Sequence, residues 1–161
     1  MDNSFDSLLN ASAVPQDEKV QAFIAESKNN RNRCYELSEQ VTAQVATDGK
    51  MLQKYLDVQS TFDRYTTNNA LLILAQRPDA QKLGDYGYWR DHGFYLKRME
   101  RQNPVLILEP GKTYKREDGK VGNYYNAKKL YDISQTTMSD TTIQKPEYEE
   151  HDLIRALVST P

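Results

Sequence analysis

Few side chains in this sequence can do covalent or metal chemistry. Its 161 residues include one cysteine, Cys34, and two histidines, His92 and His151. A single cysteine excludes an internal disulfide and a cysteine-built zinc knuckle. Two histidines exclude most His-rich metal sites. Cys34 falls in a helical pattern near Leu37 with no base beside it, so it reads as a structural thiol and not a nucleophile. His92 precedes Gly93 at a helix end, where the helix dipole favours a cation. His151 sits among Glu149, Glu150 and Asp152 and reads as solvated charge. Asp63 and Asp91 read as ion-pair partners of Arg64 and Arg90. There is no HExxH, no GxSxG and no glycine-rich phosphate loop. Gly84, Gly87 and Gly93 are too irregular for a dinucleotide fingerprint. No enzymatic activity, metal or cofactor is expected.

The middle of the chain concentrates cations and flat rings instead. Residues 60–135 hold 13 Lys/Arg against 9 Asp/Glu, whereas 1–59 hold 6 against 9 and 136–161 hold 2 against 5. The net charge of −2 therefore hides a basic centre between acidic flanks. Eleven of the 16 aromatic residues fall in the same segment, with the only tryptophan, Trp89, among them. Cations that follow phosphates, interleaved with rings that stack on bases, suit a groove for a single nucleic-acid strand. The same Tyr, Phe and Val residues also suit half-buried strands.

Elements must position these groups, and the pattern predicts helices first. Residues 1–14 read as a disordered leader. Pro15 starts a helix with Asp17 and Glu18 in its first turn and Val20, Phe23 and Ile24 as an apolar stripe. The run Asn29 to Asn32 breaks it, and a second helix spans about 33–46 on Leu37, Val41 and Val45. Asp48-Gly49 is a stop signal, and a third helix covers about 50–59. Thr66 or Thr67 caps a further helix of about ten residues that Arg77-Pro78 ends. That helix is apolar almost all round and should be central. Residues 85–92 form a short helix stopped by Gly93.

Strands follow at 94–97, 104–109 and 124–133, with a hairpin over 114–121 turning on Asp118-Gly119. Residues 134–146 read as a loop or linker, and 147–158 as an amphipathic final helix. The fold class is α+β, with N-terminal helices packed on a small, mostly antiparallel sheet. The longest apolar run, Ala70 to Ala75, is far short of the ~18 residues of a membrane span. The N-terminus has no signal-like stretch, so a cytoplasmic protein without membrane contact is expected.

An ordered set of pieces resembles a known family. They are FDRYTTNNALLILAQRPDA (62–80), GYWRDHGFYLKR (87–98), VLILEP (105–110) and a strand pair ending KKLYDISQT (128–136). Together they resemble the N-terminal domain of ArdC-type antirestriction proteins, which also begins several proteins of conjugative plasmids and transposons. The resemblance covers Tyr55 to about Gln135, roughly half the chain, and assigns 15–135 to this domain. Residues 136–161 become a linker and the start of a C-terminal helix. Asn68 or Asn69, Trp89 and Gly93 to Arg98 match the family pattern. The loop after Arg98 departs from it: the family's Lys-Gly-Glu-Lys-Gly turn is replaced by Arg98 to Pro104, and both glycines are gone.

The resemblance implies sequence-independent binding of single-stranded DNA. Fuller family members add a zinc metallopeptidase-like domain with an HExxH helix, which this chain lacks. The abrupt end at Ser159-Thr160-Pro161 reads as a domain cut from a longer protein, whose C-terminal part is then a partner. On this reading Lys97, Arg98, Arg101, Lys112, Lys115, Arg116, Lys128 and Lys129 contact phosphates. Tyr65, Trp89, Tyr95, Tyr124 and Tyr125 are the candidate stacking rings, although a lone tryptophan also suits a core. Alternation along a strand sends Lys128 and Lys129 to opposite faces, and likewise Tyr124 and Tyr125. Asn68, Asn69 and Gln76 are candidate contacts to backbone or bases, although Asn at a helix start also serves as a cap. The competing readings are a non-catalytic protein–protein interaction module, which the acidic flanks favour, and a scaffold that positions a downstream domain.

Overall fold

One unbroken helix, α1 (Gln16–Thr47), opens the computed structural model, which describes residues 16–140. It replaces the two helices expected before residue 47. Asparagine is a weak helix former, but it costs only ~0.7 kcal/mol per residue against alanine. No glycine or proline lies between Gln16 and Thr47, so nothing there removes a backbone hydrogen bond. α2 (Gly49–Thr61) starts at Asp48, whose carboxylate accepts from Lys50 N at 2.8 Å. α3 (Thr67–Gln76) is capped by Thr66 through Asn69 N and stops at Arg77, before Pro78. α4 (Tyr86–Asp91) is capped by Asp85 and ends at Gly93, whose φ of 79° glycine adopts without a Cβ penalty.

Three strands form an antiparallel sheet: β1 (Leu83–Gly84), β2 (Val105–Lys115) and β3 (Val121–Asp132), in the order β1-β3-β2. The fold is therefore α+β, four helices against a small antiparallel sheet. The strand segments expected between 104 and 133 merge into one long hairpin. Its turn carries Asp118 and Gly119, the latter at φ 79°. The strand expected at 94–97 reduces to one bridge, Leu96 to Thr136.

Register places apolar residues on both faces of the first half of β2. Val105 opposes Leu130 and Ile107 opposes Lys128, while Leu106 opposes Lys129 and Leu108 opposes Ala127. Directly opposed residues share a face. Val105, Ile107 and Leu130 pack with Val41, Val58 and Ile73 in the main cluster. Leu106 and Leu108 pack with Cys34 and Leu72 in a second one.

α3 supplies both clusters because it runs along the open edge of β2. Asn69 Nδ2 donates to Leu108 O at 2.8 Å, and Leu108 N donates back to Asn69 Oδ1 at 2.9 Å. Gln76 repeats the pattern on Leu106, at 2.8 and 2.9 Å. Two carboxamides, two turns apart on one helix face, stand in for a neighbouring strand and cover the edge. This accounts for a helix that is apolar almost all round.

Between Pro110 and Thr113 the register slips, with Gly111 and Lys112 both opposite Tyr124. This is a β-bulge. Beyond it the hairpin continues as a two-stranded arm that is mostly exposed. A third cluster joins Trp89, Leu96, Tyr131 and Ile133, with Met138 packed against it. Thr136 is fully buried, so residues 136–138 belong to the folded body and not to a linker. The leader expected at 1–14, positions 141–146 of the expected linker and the helix at 147–158 lie outside the described residues. Among the described residues no helix is long and apolar enough to cross a membrane.

Candidate functional site

The site is built around the turn that follows Lys97. Residues Arg98–Gln102 form a 3-10 turn, and none of them has a positive φ. The end of β3 holds it in place. Gln135 Nε2 donates to Glu100 Oε2 at 2.9 Å and to Asn103 O at 2.8 Å, while its Oε1 accepts from Asp132 N at 2.8 Å. Tyr131 donates its hydroxyl to Arg101 O at 3.0 Å. A buried carboxylate anchors this network. Asp132 accepts from Gln81 N, Lys82 N, Ser134 N and the Ser134 hydroxyl. Burial opposes its ionisation, but these donors outweigh burial and hold the carboxyl below the ordinary aspartate value.

α1 crosses the Leu106–Leu108 face of the sheet and leaves a hollow on each flank. On one flank, Asn30, Arg33 and Leu37 form a helical stripe. With Arg77, Arg101 and Lys129 they enclose a cleft of about 730 Å3. Among the described residues its cations are those three and Arg33, against one acid, Glu26. Lys129 pairs with Glu26 and holds that carboxyl below its usual value. Arg77 reaches Glu100 at 3.7 Å. Arg33 and Arg101 have no acidic partner among the described residues. On the far flank, Tyr35, Asn68, Leu108, Pro110 and Tyr125 line a second hollow of about 630 Å3.

The structure gathers six of the expected residues in these two places. Gln76, Arg101 and Lys129 line the cationic cleft, and Asn68, Asn69 and Tyr125 line the second hollow. The cations and rings do not share one concavity, because α1 stands between them. As alternation requires, Lys128 and Lys129 diverge: Lys128 turns to the other sheet face and pairs with Asp85 at 3.3 Å and Glu109 at 3.6 Å.

Other expected contacts lie elsewhere. Trp89 is 1% exposed and donates Nε1 to Tyr131 O at 2.9 Å, so it is a core residue and offers no stacking face. The Asn69 carboxamide is buried and engaged at both ends by Leu108, so it serves the strand edge. Gln76 is committed to Leu106 in the same way, although its position borders the cleft. Tyr65 is half-buried and lines a smaller hollow with Arg64 and Lys82. Tyr124 stacks on Tyr114 at 4.5 Å on the hairpin arm, which also carries Lys112, Lys115 and Arg116. Tyr95 and Arg98 are exposed and Lys97 is half-buried, but none of them lines either hollow.

Sequence reasoning missed Arg33, Arg77 and Tyr35. Arg77 registered only as a helix stop before Pro78. Arg33 and Tyr35 fall at the start of the helix expected over about 33–46, so their places on one continuous helix with Glu26 and Asn30 are hidden.

The remaining reactive groups have structural surroundings. Cys34 is fully buried, and burial pushes its thiol up to about 11. His92 Nδ1 lies 2.7 Å from Tyr88 O at the end of α4. Arg90 pairs with Asp91 at 3.0 Å, whereas no ion pair joins Asp63 and Arg64 among the described residues. The described residues hold no group of His, Cys, Asp and Glu suited to a metal ion. His151 lies outside them.

Neither a family model, nor a curated protein, nor a solved structure matches this chain.

Proposed function

We propose that the chain binds single-stranded DNA without regard to sequence, in the cytoplasm, as the N-terminal module of an ArdC-like antirestriction protein of a conjugative element. The observation that carries this reading is the cleft between α1, the end of α3 and the 98–103 turn. Four cations converge there against one acid, and two of the arginines have no acidic partner among the described residues. A guanidinium is a planar fork that matches phosphate oxygens in pairs. The side chains of Asn30, Gln102 and Asn103 on the same walls add uncharged donors. Contacts to phosphate oxygens carry no sequence information, which agrees with binding any sequence. The reading is of a binding module and not a catalyst.

The test is fluorescence anisotropy of labelled oligo-dT with the wild type and with Arg33→Ala, Arg101→Ala. The wild type should bind at low salt and the double variant should bind much more weakly. Arg90→Ala, whose guanidinium pairs with Asp91 and lines neither hollow, should behave as wild type. No binding of oligo-dT at low salt refutes the reading.

A second reading, a protein–protein interaction module, has its own observation. Val20, Phe23 and Ile24 form an apolar stripe on the first half of α1 and are 48%, 69% and 53% exposed. Under that reading Phe23→Asp abolishes partner binding, and oligo-dT does not bind.

A further inference from the structure

The hollow on the far flank of α1 has a different chemistry from the arginine cleft. Tyr35 and Tyr125 line it from separate elements, 48% and 40% exposed. Neither ring belongs to a core cluster, so packing does not require either of them. Pro110 lies opposite Tyr125 in the register and shares its face, which extends the apolar wall. Asn68 adds a polar group. Its Oδ1 accepts from the Ser38 hydroxyl, and its Nδ2 has no partner among the described residues. Among the described residues the one charged side chain on the wall, Glu109, is engaged by Lys128 at 3.6 Å. Among the described residues no cation lines the hollow.

An occupant that suits these walls is flat, uncharged and polar only at its edge. The cleft across α1 suits an anion. Leu106 borders the cleft and Leu108 the hollow, two residues and ~7 Å apart along one strand face. The helix that separates them is ~10–12 Å across. A polymer that carries anions and flat neutral groups at this spacing can occupy both.

We propose that the hollow receives one unstacked nucleobase of the bound strand, against the rings of Tyr125 and Tyr35, with the base edge at Asn68 Nδ2. The proposal rests on the single-strand reading and adds a base site to it. Stacking on a ring accepts every base, so the site favours bases over no base without choosing among them. It also excludes a base that is paired within a duplex.

The experiment compares the 161-residue chain with two labelled oligomers of equal length and charge, oligo-dT and one whose sugars carry no bases. The wild type should prefer oligo-dT by about 5- to 150-fold, the range for loss of one base–ring stack. Tyr125→Ala should remove most of that preference and leave affinity for the abasic oligomer unchanged. Tyr125→Phe keeps a ring and should keep the preference. Equal wild-type binding of both oligomers overturns the base site and leaves phosphate binding intact. An equal loss for both oligomers in Tyr125→Ala also overturns it. Failure of both oligomers to bind overturns the single-strand reading and the base site with it.

Discussion

Truncating the carboxamide that closes the β2 edge gives a sharp test of how α3 is used. In Asn69→Ala, Leu108 loses the partners of both its N–H and its C=O, now at 2.9 and 2.8 Å. Asn69 is 8% exposed, so water replaces those partners poorly. A buried backbone group left unpaired costs about 1–3 kcal/mol. Two such groups, partly relieved by water from the neighbouring hollow, put the loss at about 3 kcal/mol. With a urea slope of about 2 kcal/mol/M, the midpoint should fall by about 1.5 M at unchanged slope. Gln76→Ala should cost less, about 1 kcal/mol, because Gln76 is half-buried beside an open cleft that water can enter. Both variants, assayed well below their midpoints, should bind oligo-dT with the wild-type salt dependence, since both amides serve the strand and not a ligand. A loss below about 0.5 kcal/mol for Asn69→Ala, or a loss of DNA binding in folded protein, refutes this reasoning.

Four other outcomes follow from the interior. Asp132 is held below its ordinary value of 3.8, so its contribution is fully present above that pH and is lost as pH falls through the lower folded value. Thermal melts should show wild-type stability dropping below about pH 4, and Asp132→Asn, already destabilised at neutral pH, should drop less over that interval. Trp89 should emit as a buried indole whose spectrum does not change when oligo-dT is added; strong quenching would contradict its place in the core. Trp89→Phe should cost about 2–3 kcal/mol in urea unfolding, from lost volume and the lost bond to Tyr131 O. Cys34, with its thiol pushed up to about 11, should resist a thiol reagent at mildly alkaline pH until the protein unfolds.

Local signals were readable wherever one residue type imposes the geometry. Thr66, Asp85, Gly93 and the Asp118-Gly119 turn each stand where capping and left-handed backbone rules put them. The asparagine run at 29–32 misled because weak propensity was weighed as a break, although only glycine or proline removes enough to end a long helix. β1 was invisible because two residues carry no periodicity; its pairing is fixed from a distance by the Asp132 carboxylate on Gln81 and Lys82. The candidate site was harder to read. Adjacent lysines on β3 were correctly assigned to opposite faces, but which face held the cleft depends on where α1 crosses. Asn69 and Gln76 look like ligand contacts in a list of polar residues. Only the path of the β2 edge shows that they substitute for a strand.

The salt dependence of oligo-dT affinity tests the central claim most directly. With two to four phosphates neutralised by Arg33, Arg77, Arg101 and Lys129, a plot of log K against log salt should slope at about −1.4 to −2.8, at ~0.7 per phosphate. Arg33→Ala with Arg101→Ala should flatten that slope by about 1.4. A slope near zero, or a double variant with the wild-type slope, would contradict the assignment of this cleft to the phosphate backbone.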